Sequence, residues 1–205
     1  MRGVIAVGMA VASLALVSAV RGQDTGAEGR IWLEGTSTVR KWSCDAKEFA
    51  PAMKADPGFE KALLEGQKAV RGVGAKIAAG AIECGNGKMN DHLRKALKVQ
   101  EFPTISYELK SYEVTKQGEA AAVTARGELT IAGTTRPIEM EVTATPTAAG
   151  GLEVKGAKEI RMTEYGVKPP SLMLGTLKVG DPVTVHFDVV LKPGLVAMLA
   201  AAQGR

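Results

Sequence analysis

Three stretches of the chain alternate apolar and polar residues without a break. They are Ile105-Ser106-Tyr107-Glu108-Leu109-Lys110, Ile138-Glu139-Met140-Glu141-Val142-Thr143-Ala144 and Val183-Thr184-Val185-His186-Phe187-Asp188-Val189. A period of two is the signature of a strand with one buried and one wet face. The alternation therefore assigns inward faces to Ile105, Tyr107 and Leu109, to Ile138, Met140 and Val142, and to Val185, Phe187 and Val189. Further strands are expected near Arg30–Leu33, Thr38–Ser43, Val73–Glu83, Ala121–Ile131 and Leu152–Arg161, with Val123 and Ala125 inward on the fourth of these.

Turn chemistry separates the strand patterns. Lys116-Gln117-Gly118, Ala132-Gly133-Thr134, Ala149-Gly150-Gly151 and Val179-Gly180-Asp181-Pro182 all fall between them, and glycine, proline, asparagine and aspartate are what tight turns require. Many strands, short connections and no βαβ spacing predict one mostly-β domain, an antiparallel sandwich or barrel of about eight strands. Two or three short helices interrupt it. Asn90 can cap a helix on which Met89, Leu93, Ala96 and Leu97 share a face. Asp56-Pro57 can open a segment to about Lys68, and Pro193 a terminal helix over 193–205.

The first 22 residues are expected to lie outside the fold. Arg2 precedes an apolar run from Val4 to Val20 without a charge, and small residues follow at Ser18, Ala19 and Gly22. That is the layout of a secretory signal peptide, cleaved after Ala19 or Gly22. Residues 23–29 then form a polar, disordered lead to a domain at 30–192. The mature protein is expected to have no stable membrane span and to be periplasmic or secreted, an uncleaved anchor being the alternative. In an oxidising compartment a lone cysteine pair, Cys44 and Cys84, is expected to form a disulfide worth roughly 4 kcal/mol.

Composition argues against several functions. There are 26 basic and 22 acidic residues, and signal cleavage removes Arg2 and Arg21, so the mature chain is nearly balanced. Charges of both signs are interspersed and aromatics are few, which disfavours nucleic acid as a partner. The two histidines, His92 and His186, lack partners at metal-ligand spacing and are expected on polar, solvent-facing positions. Neither Ser37 nor Ser43 has a nearby histidine to activate it, and Glu139 with Glu141 fits a wet exterior face. No phosphate loop, nucleophile elbow or dinucleotide turn is present. No catalytic, metal or cofactor site is expected, and the chain is not expected to be an enzyme.

Small residues are abundant on two strand patterns, Val73–Ile82 and Ala120–Ala125. An eight-stranded barrel is just wide enough to be filled by side chains or to hold one small ligand. Composition leaves both open: a cavity, or an interior filled from elsewhere.

Longer matches give a family likeness. Trp32-Leu33-Glu34-Gly35-Thr36-Ser37-Thr38-Val39, Met89-Asn90-Asp91-His92-Leu93 with Ala96-Leu97-Lys98, and Phe102-Pro103-Thr104-Ile105 resemble segments of the YceI-like family of exported lipid-binding proteins. So do Gly127–Gly133 with Arg136-Pro137-Ile138, Thr163–Val167 and Val179–Val183, in the same order. The resemblance implies a single eight-stranded antiparallel lipocalin-like barrel that binds a long-chain apolar small molecule, an isoprenoid or fatty-acyl lipid, without catalysis. The inward residues above, Ile105, Tyr107, Leu109, Val123, Ala125, Ile138, Met140, Val142, Val185, Phe187 and Val189, are then the candidate ligand-binding lining. Trp42-Ser43-Cys44, where many members carry a histidine-containing stretch, and the segment around Pro57–Lys68 depart from the family pattern. A pyrophosphate head group would want basic residues, for which Arg40-Lys41 and Arg94-Lys95 are candidates or equally a solvated face. The competing functions are a structural or protein-interaction barrel with a filled interior and, last, a hydrolase.

Overall fold

The computed structural model describes residues 27–172 and 176–193. It contains eleven strands: β1 (Ala27–Ser37), β2 (Lys41–Ala46), β3 (Phe49–Ala55), β4 (Val70–Ala78), β5 (Ile82–Glu83), β6 (Thr104–Gln117), β7 (Ala120–Ile131), β8 (Thr134–Pro146), β9 (Leu152–Arg161), β10 (Ser171–Leu172) and β11 (Leu177–Leu191). Two α-helices accompany them, α1 (Phe59–Leu64) and α2 (Gly87–Ala96). Every strand pair is antiparallel. The sheet runs β3-β4-β6-β7-β8-β9-β11-β1-β2-β5, with β10 beside β11, and it curls around an apolar interior.

The count of eleven corrects the eight strands expected from the sequence: two of the extra strands come from bends and the third is the short β10 beside β11. The chain breaks between β2 and β3 at Lys47-Glu48, and a 3-10 turn at Ala79–Ala81 breaks it between β4 and β5. Pairing continues past both breaks: the Lys47 N–H donates to Ala81 O at 3.0 Å and the Ala78 N–H to Glu48 O at 3.2 Å. β3 also lay outside the expected strands. It carries Pro51 opposite Ala75, and proline is tolerated there because β3 pairs on one side only and needs no second ladder donor.

Other boundaries shift too. β1 begins at Ala27, so the last three residues of the expected disordered lead are strand. The expected leader at 1–22 and terminal helix beyond Pro193 lie outside the described residues. α1 is shorter than expected because Gly66, at φ +75°, leaves the helical region. α2 is capped by Asn86, whose side chain accepts from the Met89 N–H at 3.2 Å. Asn90, the expected cap, lies inside the helix and accepts from the Cys84 N–H at 2.8 Å.

Two apolar clusters hold the ends of the curled sheet. One gathers Ile31, Cys44, Ile82, Leu97, Ile105, Ile131 and Tyr165, against which Leu93 and Ala96 of α2 pack. The other gathers Phe59 and Leu63 of α1 with Ala121, Ala144 and Leu152. Ala121 of the Ala120–Ala125 run, with Ala144, packs in the same cluster as the side chains of α1. Cys44 and Cys84 are joined, linking β2 to the segment that leads into α2.

Thiol titration of the unfolded, unreduced protein is expected to find no free thiol. The Cys44→Ala/Cys84→Ala variant should lose roughly 3–4 kcal/mol in urea unfolding through the larger entropy of its unfolded chain. Two reactive thiols in the wild type would refute the pairing.

Candidate functional site

Inside the curled sheet lies a cavity of about 620 Å³, within the 300–1,000 Å³ typical of small-molecule pockets. All eleven residues assigned inward by alternation line it: Ile105, Tyr107 and Leu109 from β6, Val123 and Ala125 from β7, Ile138, Met140 and Val142 from β8, and Val185, Phe187 and Val189 from β11. Residues that strand alternation did not single out join them, including Leu33, Trp42, Phe49 and Met53 from β1 to β3 and, from the apolar face of α2, Met89 and Leu93. α1 contributes Phe59 and Leu63, which belong to the buried cluster at one end. The turn Ser37–Arg40, the first turns of α2 and the neighbourhood of Pro170 and Leu177 contribute lining residues as well.

Glycines keep this interior from filling with aromatic rings. Gly35 pairs with Trp42 and Gly156 with Phe187 across neighbouring strands. A Cβ added at either glycine would overlap the facing ring. At Gly127 an added Cβ would lie 2.6 Å from Cε2 of Tyr107. Each ring therefore lies along the wall in the space a side chain would take, the arrangement by which aromatics shield strand glycines. The bore stays open beside them.

The polar groups of the lining are few. Arg40 and Lys88 are exposed, and His92 and Lys158 are half-buried. No aspartate or glutamate lines the cavity among the described residues. The Tyr107 hydroxyl is buried without a hydrogen-bond partner, and burial raises its pKa above the ordinary tyrosine value. Of the basic pairs considered for a head group, only Arg40 reaches the lining. Lys41 and Lys95 are exposed on the surface, and Arg94 donates from Nε to Gly80 O at 3.2 Å.

The histidines depart from the solvent-facing expectation. His92 shares a face of α2 with Met89, Leu93 and Ala96, at the i, i+3, i+4 and i+7 spacing of one helical stripe, and so lines the cavity. His186 does point outward, between inward Val185 and Phe187, but it is covered. It stacks on Trp32 at a centroid distance of 4.8 Å and lies 3.5 Å from a Glu34 oxygen. Arg30 covers the same indole at 4.7 Å and bonds Asp45 at 2.6 Å. No cluster of three metal-ligating side chains occurs among the described residues. Ser37 is occupied in its turn, its hydroxyl bonded to Arg40 O at 2.9 Å. Glu139 pairs with Arg126 on the exterior.

Charged side chains on the outer face and apolar ones within are the reverse of an outer-membrane barrel, whose apolar band meets lipid. No helix among the described residues is long and apolar enough to cross a membrane.

Residues 6–191 match the model of the YceI-like domain. Comparison with curated proteins gives no match. Among solved structures, BcnA of Burkholderia cenocepacia is similar at TM-score 0.63 and 17% identity, covering 79% of this chain and 95% of that one. A YceI protein of Campylobacter jejuni gives TM-score 0.56 and 18% identity over 72% and 82% of the two chains. A domain from Saccharophagus degradans, described as polyisoprenoid binding and implicated in plant cell wall breakdown, gives 0.57 and 12% over 82% and 95%. At these identities the likeness establishes a shared fold.

Tyr107→Phe is expected to hold or raise stability, by up to about 1–3 kcal/mol, because it removes a buried hydroxyl with no partner. The raised phenol pKa means that the fold keeps its proton more tightly than the unfolded chain. The associated stability is complete below the unfolded value near pH 10 and is lost as pH rises through the folded one. Urea midpoints at pH 7 and above 10 check both points; a loss of more than about 1 kcal/mol at pH 7 would mean the hydroxyl has a partner after all.

Proposed function

Because the chain belongs to the YceI-like family, we propose that it carries a long apolar chain, a polyisoprenoid or fatty-acyl ligand, inside its curled sheet. The observation that carries this reading is the cavity: about 620 Å³ enclosed by side chains that are almost all apolar. Transfer of hydrocarbon from water into such a space is favourable by about 0.8 kcal/mol per methylene. Binding of this kind needs no nucleophile, base or metal, and we assign the protein a non-enzymatic role. The description of the Saccharophagus degradans domain points to the same ligand class.

In this reading the curled sheet closes around the ligand, and β2 with β3, and β4 with β5, are each one bent strand. The hydrogen bonds that bridge both bends support it. We place the protein in the periplasm or outside the cell, with residues 1–22 as a cleaved signal peptide and 193–205 as a tail beyond the barrel. The charged start, the apolar run from Val4 to Val20 and the Cys44–Cys84 disulfide support export.

Native mass spectrometry of freshly purified protein is expected to show a co-purified lipid. Ala125 is buried on β7 and faces the bore between Tyr112 and Met140. Ala125→Trp should keep the far-ultraviolet circular dichroism of the sheet and weaken binding of the neutral dye N-phenyl-1-naphthylamine by at least about tenfold. Unchanged dye binding in a folded variant would place the ligand elsewhere.

A further inference from the structure

Lys158 breaks the pattern of the wall. On β9 the inward series is Leu152, Val154, Gly156, Lys158 and Ile160, and all but Gly156 line the cavity. Val185, the residue paired with Lys158 on β11, is itself an inward lining residue. Among the described residues Lys158 is the one charged side chain that a strand contributes to the lining. The outward positions of the same strand, Glu153, Lys155 and Glu159, carry charge as an exterior face should, and Lys155 is held by Glu153 and Asp188.

An ammonium turned toward an apolar bore is costly unless something pairs with it. Among the described residues Lys158 forms no ion pair, the neighbouring pairs being those of Lys155, and no carboxylate lines the cavity. The sheet also changes at this point. The β8–β9 ladder runs from Pro146–Leu152 only as far as Val142–Gly156, and beyond it β9 is paired to β11 alone. Lys158 is the first inward residue past the end of that ladder. Lys158 is half-buried, and a lysine so placed can lay its apolar stem along the wall while its head stays in reach of water.

We propose that the ligand is an amphiphile with an anionic head, a carboxylate or a phosphate, and that the head pairs with Lys158. The proposal rests on the carrier reading above and deepens it. The apolar bore takes the chain, and the unpaired ammonium supplies a charge-assisted hydrogen bond to the head oxygens. Arg40 and Lys88, exposed in the lining and with no carboxylate beside them in it, add a positive field for the same charge.

Displacement of N-phenyl-1-naphthylamine at low salt tests this with two matched pairs, oleate against oleyl alcohol and farnesyl phosphate against farnesol. The anionic member of each pair is expected to displace the dye at least about tenfold more effectively in the wild type. Lys158→Met and Lys158→Gln should bring each pair within about threefold, and Lys158→Arg should keep the preference. A preference for oleate alone, or for farnesyl phosphate alone, identifies the head as carboxylate or phosphate, and either supports the proposal. Equal displacement by acid and alcohol in the wild type, or a preference that survives Lys158→Met, overturns it and leaves the carrier reading standing. Failure of the dye and all four compounds to bind would overturn both.

Discussion

The structure depends on how aromatic rings are stowed. A curled sheet of this girth has an interior that bulky side chains can fill, and Trp42, Tyr107 and Phe187 all lie on its lining. Each instead occupies the space over a glycine of an adjoining strand, at Gly35, Gly127 and Gly156. The missing Cβ atoms therefore set the bore. Glycine in a strand weakens it through entropy and lost packing, and the facing ring restores part of that contact, so wall and cavity are secured together.

The two faces of the sheet follow from the same alternation but are stabilised differently. Outside, ion pairs such as Arg126 with Glu139, Lys110 with Glu108 and Glu128, and Lys68 with Glu113 are solvent-exposed. Such pairs contribute at most about 1 kcal/mol each, and their effect is a mixed, hydrated surface. Inside, cohesion comes from the two buried clusters at the ends, centred on Ile82 and on Phe59. Between them the structure leaves apolar surface without a protein partner, and there a ligand would complete the core.

Strand identity and facing were legible in the sequence wherever alternation ran unbroken, as at Ile105–Lys110, Ile138–Ala144 and Val183–Val189. Those stretches supplied most of the wall, and their inward residues line the cavity. What periodicity missed was non-local or masked by a single residue. Pro51 hid β3, because its missing N–H matters only once the free edge of that strand is known. The bends at Lys47-Glu48 and Ala79–Ala81 multiplied the strand count through pairings between distant segments. His92 looked polar because of its residue type, while its spacing from Met89 and Ala96 put it on the apolar stripe. Lys158 had a usable signal: it occupies the phase of Leu152, Val154 and Ile160.

The Cys44–Cys84 bond makes the rim of the cavity mechanically lopsided. It ties the wall at β2 to the residue pair that leads into Asn86, and Asn90 reaches back to the Cys84 amide. α2 is thus fastened at its entry by a covalent strut and at its face by packed leucine and alanine. The turn from Ser37 to Arg40 has only short local bonds and a few reaching Thr176 and Lys178, and Val39 stands 67% exposed at its tip. One jamb of the doorway is cross-linked covalently and the other is held by hydrogen bonds. In the carrier reading, any widening of the rim would fall first on the turn, and reduction of the disulfide would loosen the side held by α2.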